Sequence, residues 1–203
     1  MRRPLLYVIP IVHNEADLGS LAEATRRTSA GADARAWGLK QVAIAQFWKG
    51  VRTWCSRLPA NLSSFRLYQD GLPVCGTERS IVEELAAKGS ENHRLLLELL
   101  ERGATLEGTE SGPLLVEEYN LAVAMLTPAK QPDAEERVAI SAKPRAAVGR
   151  SEQILHDRDR FIADRIAATL KPGETGLLFL GYLHDVTSRL PAALDVQKVS
   201  RLG

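Results

Sequence analysis

Two histidines stand directly after apolar runs, and carboxylates stand after two more. Leu5-Leu6-Tyr7-Val8-Ile9-Pro10-Ile11-Val12 leads into His13-Asn14-Glu15, and Gly176 to Leu183 leads into His184-Asp185. Between them, Phe65-Arg66-Leu67-Tyr68 leads into Gln69-Asp70-Gly71, and Ala104 to Thr109 leads into Glu110. Neutral imidazole and carboxylate oxygen together form a ligand set for Zn²⁺, Mn²⁺ or Fe²⁺. The same groups can pass protons as general acid and base without a metal. All of these residues are remote from one another in the chain, so either chemistry requires a fold that gathers the ends of several strands.

Such a fold is what the hydrophobic pattern predicts. The runs at 5–12 and 177–183 are apolar without alternation, which is the mark of strands covered on both faces, and such strands belong to parallel sheets flanked by helices. Shorter strands are expected at 65–68 and 104–109, with an edge strand at 196–200. Helical periodicity occupies the intervals. A first stretch from Glu15 to Arg27 places Leu18, Leu21, Ala22 and Thr25 on one stripe, with Asn14 as cap and Asp17 near its positive end. A second, 34–58, holds all three tryptophans and ends at Pro59. Helices at 78–88 and 91–102 are separated by Gly89-Ser90, with Ser90 as N-cap of the latter. Further helices are expected at 113–126, 151–170 and 186–190. Residues 127–149, with Pro128, Pro132 and Pro144 among charges, read as an irregular segment placed to act as a lid.

Strands alternating with helices give an α/β class: one domain over 1–203, with a largely parallel sheet of four or five strands flanked by helices. A helical insertion around 34–58 follows the first strand. Ligands of open α/β sheets bind outside the carboxyl ends of the strands. That rule gathers His13, Glu15, Asp70, Glu110 and His184 at one edge. In a metal site His13 and His184 would be ligands, with Glu15 or Asp70 as a third and Glu110 as general base. Without a metal the same groups could do acid–base work.

Composition narrows the function classes. The chain has 203 residues, 45% hydrophobic and 25% charged, which is the balance of an ordinary globular domain. A formal net charge of +1 supplies no field for steering toward nucleic acid or an anionic membrane. Arg2-Arg3 before an apolar run imitates an export signal, but the run contains Pro10, stops at His13 and falls far short of the ~20 residues that span a bilayer. A buried first strand is the better reading. Cys55 and Cys75 make no disulfide framework and lack structural zinc spacing, which points to reduced thiols and a cytoplasmic location.

Sharper motifs fail on their own terms. His13-Asn14-Glu15 matches half of a zinc-deaminase signature, but no P-C-x-x-C exists in the chain. Gly103 to Gly108 has P-loop spacing, yet Thr109-Glu110 stands where Lys-Ser/Thr belongs. No G-x-G-x-x-G follows the first strand. Plainer roles exist for several residues: Asp70-Gly71 as a turn, Asp185 as a helix cap, Glu110 as a first-turn acid, and His93 and His156 as solvated side chains. Nothing near Cys75 marks an activated thiolate.

The two strands that end in His, the second reading Gly181-Tyr182-Leu183-His184, occur with a glutamate after a middle strand and a helix carrying Arg158-Asp159-Arg160-Phe161-Ile162-Ala163. Together these resemble the TraB/GumN/Tiki group and the related erythromycin-esterase and ChaN-like proteins, which carry two G-x-x-H motifs and an acidic residue on an α/β scaffold. Pro10-Ile11-Val12-His13 departs from the pattern, with Pro where the group has the conformationally permissive Gly. The resemblance implies a metal-assisted hydrolase or protease-like site, or a metal or haem binder, with roles on His13, Glu110 and His184.

The expected function is a hydrolase of a small-molecule or peptide substrate, dependent on Mn²⁺, Zn²⁺ or Fe²⁺. The competing readings are a non-catalytic binding or regulatory module that presents the aromatic helix 34–58 to a partner, and a metal-free esterase or transferase. Neither nucleic acid nor membrane is expected as a partner.

Overall fold

A computed structural model describes residues 2–12, 34–126 and 134–200. Its elements in chain order are β1 (Leu5–Ile11), α1 (Ala34–Cys55), β2 (Phe65–Gln69), α2 (Glu78–Ala87), α3 (Glu91–Glu101), β3 (Thr105–Glu107), α4 (Gly112–Leu126), α5 (Ala134–Thr169), β4 (Thr175–Gly181), a 3₁₀ turn (Thr187–Arg189) and β5 (Asp195–Lys198). The five strands form one sheet in the order β3-β2-β4-β1-β5, and every pairing is parallel. The α/β class, the parallel sheet and the helix after the first strand are as the apolar runs predict.

Strand alternation divides the apolar residues between two layers. Ile9, Ile11, Leu67, Leu177 and Phe179 face a layer built by Trp48, Val51 and Cys55 of α1, Val82 of α2, and Leu95, Leu96 and Leu99 of α3. Leu6, Val8, Tyr68, Leu178 and Leu180 face Ile162, Ala163, Ile166 and Leu170, and with them Val186 and Leu194. The β1→β2 and β2→β3 crossovers run toward one edge and cover the first face. The β3→β4 and β4→β5 crossovers run back the other way and cover the second. Crossovers of one hand require that arrangement. It makes β2 and β4 neighbours whose chains leave on opposite faces, the switch point at which open α/β sheets hold ligands. Close packing at the centre depends on Gly176: a Cβ there would lie 2.6 Å from Leu6 Cδ1 and 3.2 Å from Leu170 Cδ2.

Four expectations need correction or placing. Residues 134–149 are not irregular but form the opening turns of α5. Ala, Glu, Arg and Lys dominate there, and their helix propensity prevails over the mixed charge that suggested a loop. Residues 127–133, and with them the rest of the expected lid, lie outside the described residues, as does the helix expected at 15–27. Part of the aromatic helix α1 packs in the core, since Trp48 is buried and Trp54 packs edge-on against Tyr7 at 5.2 Å, while Leu39 and Val42 of the same helix are exposed. His93 is buried, not solvated, because the Ser90 side chain that caps α3 also meets its Nδ1 at 2.7 Å. Among the described residues, no helix is long and apolar enough to cross a membrane.

Candidate metal centre at the strand ends

Each acidic or imidazole group of the site is held by backbone at the carboxyl edge of the sheet. Asp70 extends β2: its N–H donates to Phe179 O at 2.9 Å, and its Oδ2 accepts from Gly181 N–H at 2.9 Å. The carboxylate therefore spans the ends of β2 and β4. The loop after β3 docks on the β2 side, where Thr109 N–H and Glu110 N–H both donate to Leu72 O at 2.9 Å and Val74 N–H donates to Glu110 O at 2.9 Å. Gly108 permits that approach, since a Cβ on it would lie 2.7 Å from Val74 Cα. His184 follows β4 in a turn closed by its N–H donating to Gly181 O at 3.3 Å.

These three side chains converge. One ligand atom each from Asp70, Glu110 and His184 lies within 4.8 Å of the others, and Asp70 and Glu110 are buried. His184 Nε2 stands 3.4 Å from Asp70 Oδ1. Among the described residues, two neighbours on α5 join the cluster. Asp159 accepts from His184 Nδ1–H at 2.6 Å through Oδ1 and from Asp185 N–H at 3.0 Å through Oδ2. Arg158 donates from Nη2 to Asp70 Oδ1 at 2.7 Å and to Glu110 Oε1 at 2.6 Å, and from Nε to Glu110 Oε2 at 3.3 Å. Its Nη1 reaches Glu118 Oε2 of α4 at 2.7 Å.

Four carboxylates thus surround one guanidinium and one imidazole in a poorly solvated space, and their proton affinities follow. Burial pushes the Glu110 carboxyl above the usual carboxylate range, against the pull of the Arg158 hydrogen bond and charge. Burial alone would lower the His184 imidazole, but its bonds to Asp159 and Asp70 outweigh that and raise it to about 9. Arg158 loses solvation too, and the bonds to Glu110 with the nearby carboxylates more than restore its charged form. An acid of raised pKa beside a strongly basic imidazole is the pattern of groups suited to proton transfer.

Of the residues singled out by sequence, Asp70, Glu110 and His184 meet here, whereas His13 and Glu15 lie outside the described residues. The Asp185 side chain is not part of the cluster: it is exposed, and hydrogen bonding from Ser188 holds its carboxyl below the usual range. Cys55 is buried, Cys75 is exposed, and neither is bridged. The sequence reading missed Arg158, Asp159 and Glu118. A signal for Arg158 existed: Ile154, Ile162 and Ile166 of α5, and Leu170 just after it, are buried at a four-residue spacing, and Arg158 occupies the one polar position in that series. A charge on a core-facing stripe requires buried partners. No family model, curated protein or solved structure matches this chain.

Proposed function

We propose that the chain is a metal-dependent hydrolase whose divalent ion is held by Asp70, Glu110 and His184. The observation that carries this reading is the Asp159–His184 hydrogen bond. A carboxylate accepts only, so Nδ1 is committed as donor and Nε2 is left to face Asp70. A histidine oriented through its far nitrogen by a carboxylate is the usual supporting arrangement of a metal-ligating imidazole.

The donor set fits the ion. Metal–ligand distances of about 2.0–2.2 Å place three ligand atoms of one ion about 3.3–3.8 Å apart, so a triad whose atoms lie within 4.8 Å of one another would draw together by up to about 1–1.5 Å on binding. One imidazole and two carboxylates suit Zn²⁺, Mn²⁺ or Fe²⁺. When bound, such an ion supplies a water acidic enough to be deprotonated near neutral pH. Asp159 fixes the His184 ring and Gly181 N–H fixes Asp70, so two of the three ligands are oriented before an ion arrives. The resemblance to the TraB/GumN/Tiki and erythromycin-esterase groups points to the same class of chemistry. Two exposed apolar side chains beside His184, Tyr182 and Leu183, offer contact to a small-molecule or peptide substrate.

One observation favours a second reading, a metal-free acid–base hydrolase: Arg158 already compensates the carboxylates. Titration with Mn²⁺, Zn²⁺ and Fe²⁺, followed by thermal unfolding, separates the two. Metal at 100 times its Kd should stabilise the protein by about 2.7 kcal/mol. His184→Ala and Asp70→Asn should abolish that gain, and Asp159→Asn should weaken metal affinity by about 10–100-fold. Absence of any stabilisation by the three metals rejects the metal-dependent reading. Ester hydrolysis that then still depends on His184 would establish the second.

A further inference from the structure

Resting on that metal-centre reading, we infer that Arg158 is a built-in competitor for the metal: it holds the ligand triad assembled when no ion is bound, and yields Asp70 and Glu110 when one enters. One nitrogen, Nη2, donates to Asp70 Oδ1 and Glu110 Oε1 at 2.7 and 2.6 Å. Asp70 Oδ1 is also the atom that faces His184 Nε2. The guanidinium therefore engages the atoms that an ion between the three residues would need.

Without a cation there, the carboxylates of Asp70 and Glu110 would repel each other in a buried space, at a cost that ordinarily forces one to take up a proton. Arg158 removes that cost, so the metal-free fold keeps its strand ends together. It cannot make room by deprotonating, because a guanidinium stays charged in proteins. It can only move. The structure provides for that movement on one side: Nη1 is already paired with Glu118, whose side chain is 38% exposed on α4, while the Asp70 and Glu110 contacts are enclosed. A guanidinium released from the two ligands keeps one full ionic partner at the solvent side of the cluster. Arg158 is thus a positioning residue, and Glu118 sets how easily it lets go.

Two cations sharing the same carboxylate oxygens bind antagonistically, and removing one strengthens the other. Calorimetric titration of the full chain with MnCl₂ and ZnCl₂ tests this. Arg158→Met, which keeps length without charge, should lower the melting temperature of the metal-free protein and tighten metal binding by about tenfold or more. Saturating metal should recover most of the lost melting temperature. Glu118→Gln should act in the opposite sense, weakening metal binding several-fold because the guanidinium has lost its alternative partner. A merely structural Arg158 would give no gain in affinity. Binding that is unchanged or weaker in Arg158→Met, with the wild type binding metal, overturns the inference and leaves the proposed function standing. Should Arg158→Met fail to fold, Glu118→Gln decides alone, and wild-type affinity in that variant overturns the inference. No binding by the wild type rejects the metal centre itself, and this inference with it.

Discussion

Replacing Glu110 with glutamine removes a charge from the most enclosed position in the site, where the side chain is 0% exposed. The carboxylate accepts from Arg158 Nη2 at 2.6 Å and from Nε at 3.3 Å. Glutamine preserves the shape and one oxygen, so one of the two bonds survives, while its amide turns donors toward a cation. Hydrogen bonds to charged groups contribute about 1.5–3 kcal/mol each, and stripping one partner from a buried ion pair costs about 3–5 kcal/mol. Arg158 retains Asp70 and Glu118, which places the expected loss toward the lower figures, about 2–3 kcal/mol. In a chain of this size 1 kcal/mol corresponds to about 2–4 °C, so the melting temperature should fall by about 4–12 °C. Urea unfolding at pH 7, followed by tryptophan fluorescence, measures this directly, since Trp48 is buried between α1 and the sheet. The slope against urea should not change. A second arm isolates the cause. In an Arg158→Met background the same substitution removes a charge that has lost its partner, so it should be neutral or stabilising. A loss under about 0.5 kcal/mol in the wild-type background, or an equal loss in both, would refute the claim that Glu110 and Arg158 form one coupled buried pair.

Three further outcomes follow from the same geometry. His184 is raised from its ordinary 6.5 to about 9 in the folded state, so its contribution is fully present below pH 6.5 and lost as the pH rises through 9; metal-free stability should fall across that window by on the order of 3 kcal/mol, and a flat profile from pH 6 to 10 would contradict it. Gly108→Ala would put a Cβ 2.7 Å from Val74 Cα and 3.0 Å from Pro73 O, both backbone atoms that yield poorly; the expected cost is about 1–3 kcal/mol in thermal or urea unfolding, with weaker metal stabilisation because Glu110 must shift. Thiol titration of the native protein should count one reactive cysteine, the exposed Cys75, and a second only after unfolding, because burial pushes the Cys55 thiol up to about 12.

Some of this protein is written locally in its chain. The strands at Leu5–Ile11 and Thr175–Gly181 declare themselves through unbroken apolar runs, and the cap on α3 through Ser90 ahead of a helical stripe. A run that must be dry on both faces has few places to go, so an interior strand in a parallel sheet was legible from residue type alone. The positions of Asp70, Glu110 and His184 at strand ends were legible for the same reason, as the points where apolar runs stop. Strand order was not. Nothing local places β4, fourth in the chain, between β2 and β1, and that placement is what sets His184 beside Asp70. It arises from covering both sheet faces with crossovers of one hand, a property of the whole topology. Arg158 and Asp159 show the other limit. They sit in the charged run Asp157–Arg160, a pattern that ordinarily marks a solvated face, yet both are buried, because α5 presents them to carboxylates and an imidazole delivered by three different strands. Burying a charge is costly until its partners arrive, and those partners come from remote stretches of chain, so only the folded arrangement decides whether such a residue stays in water or becomes the centre of the site.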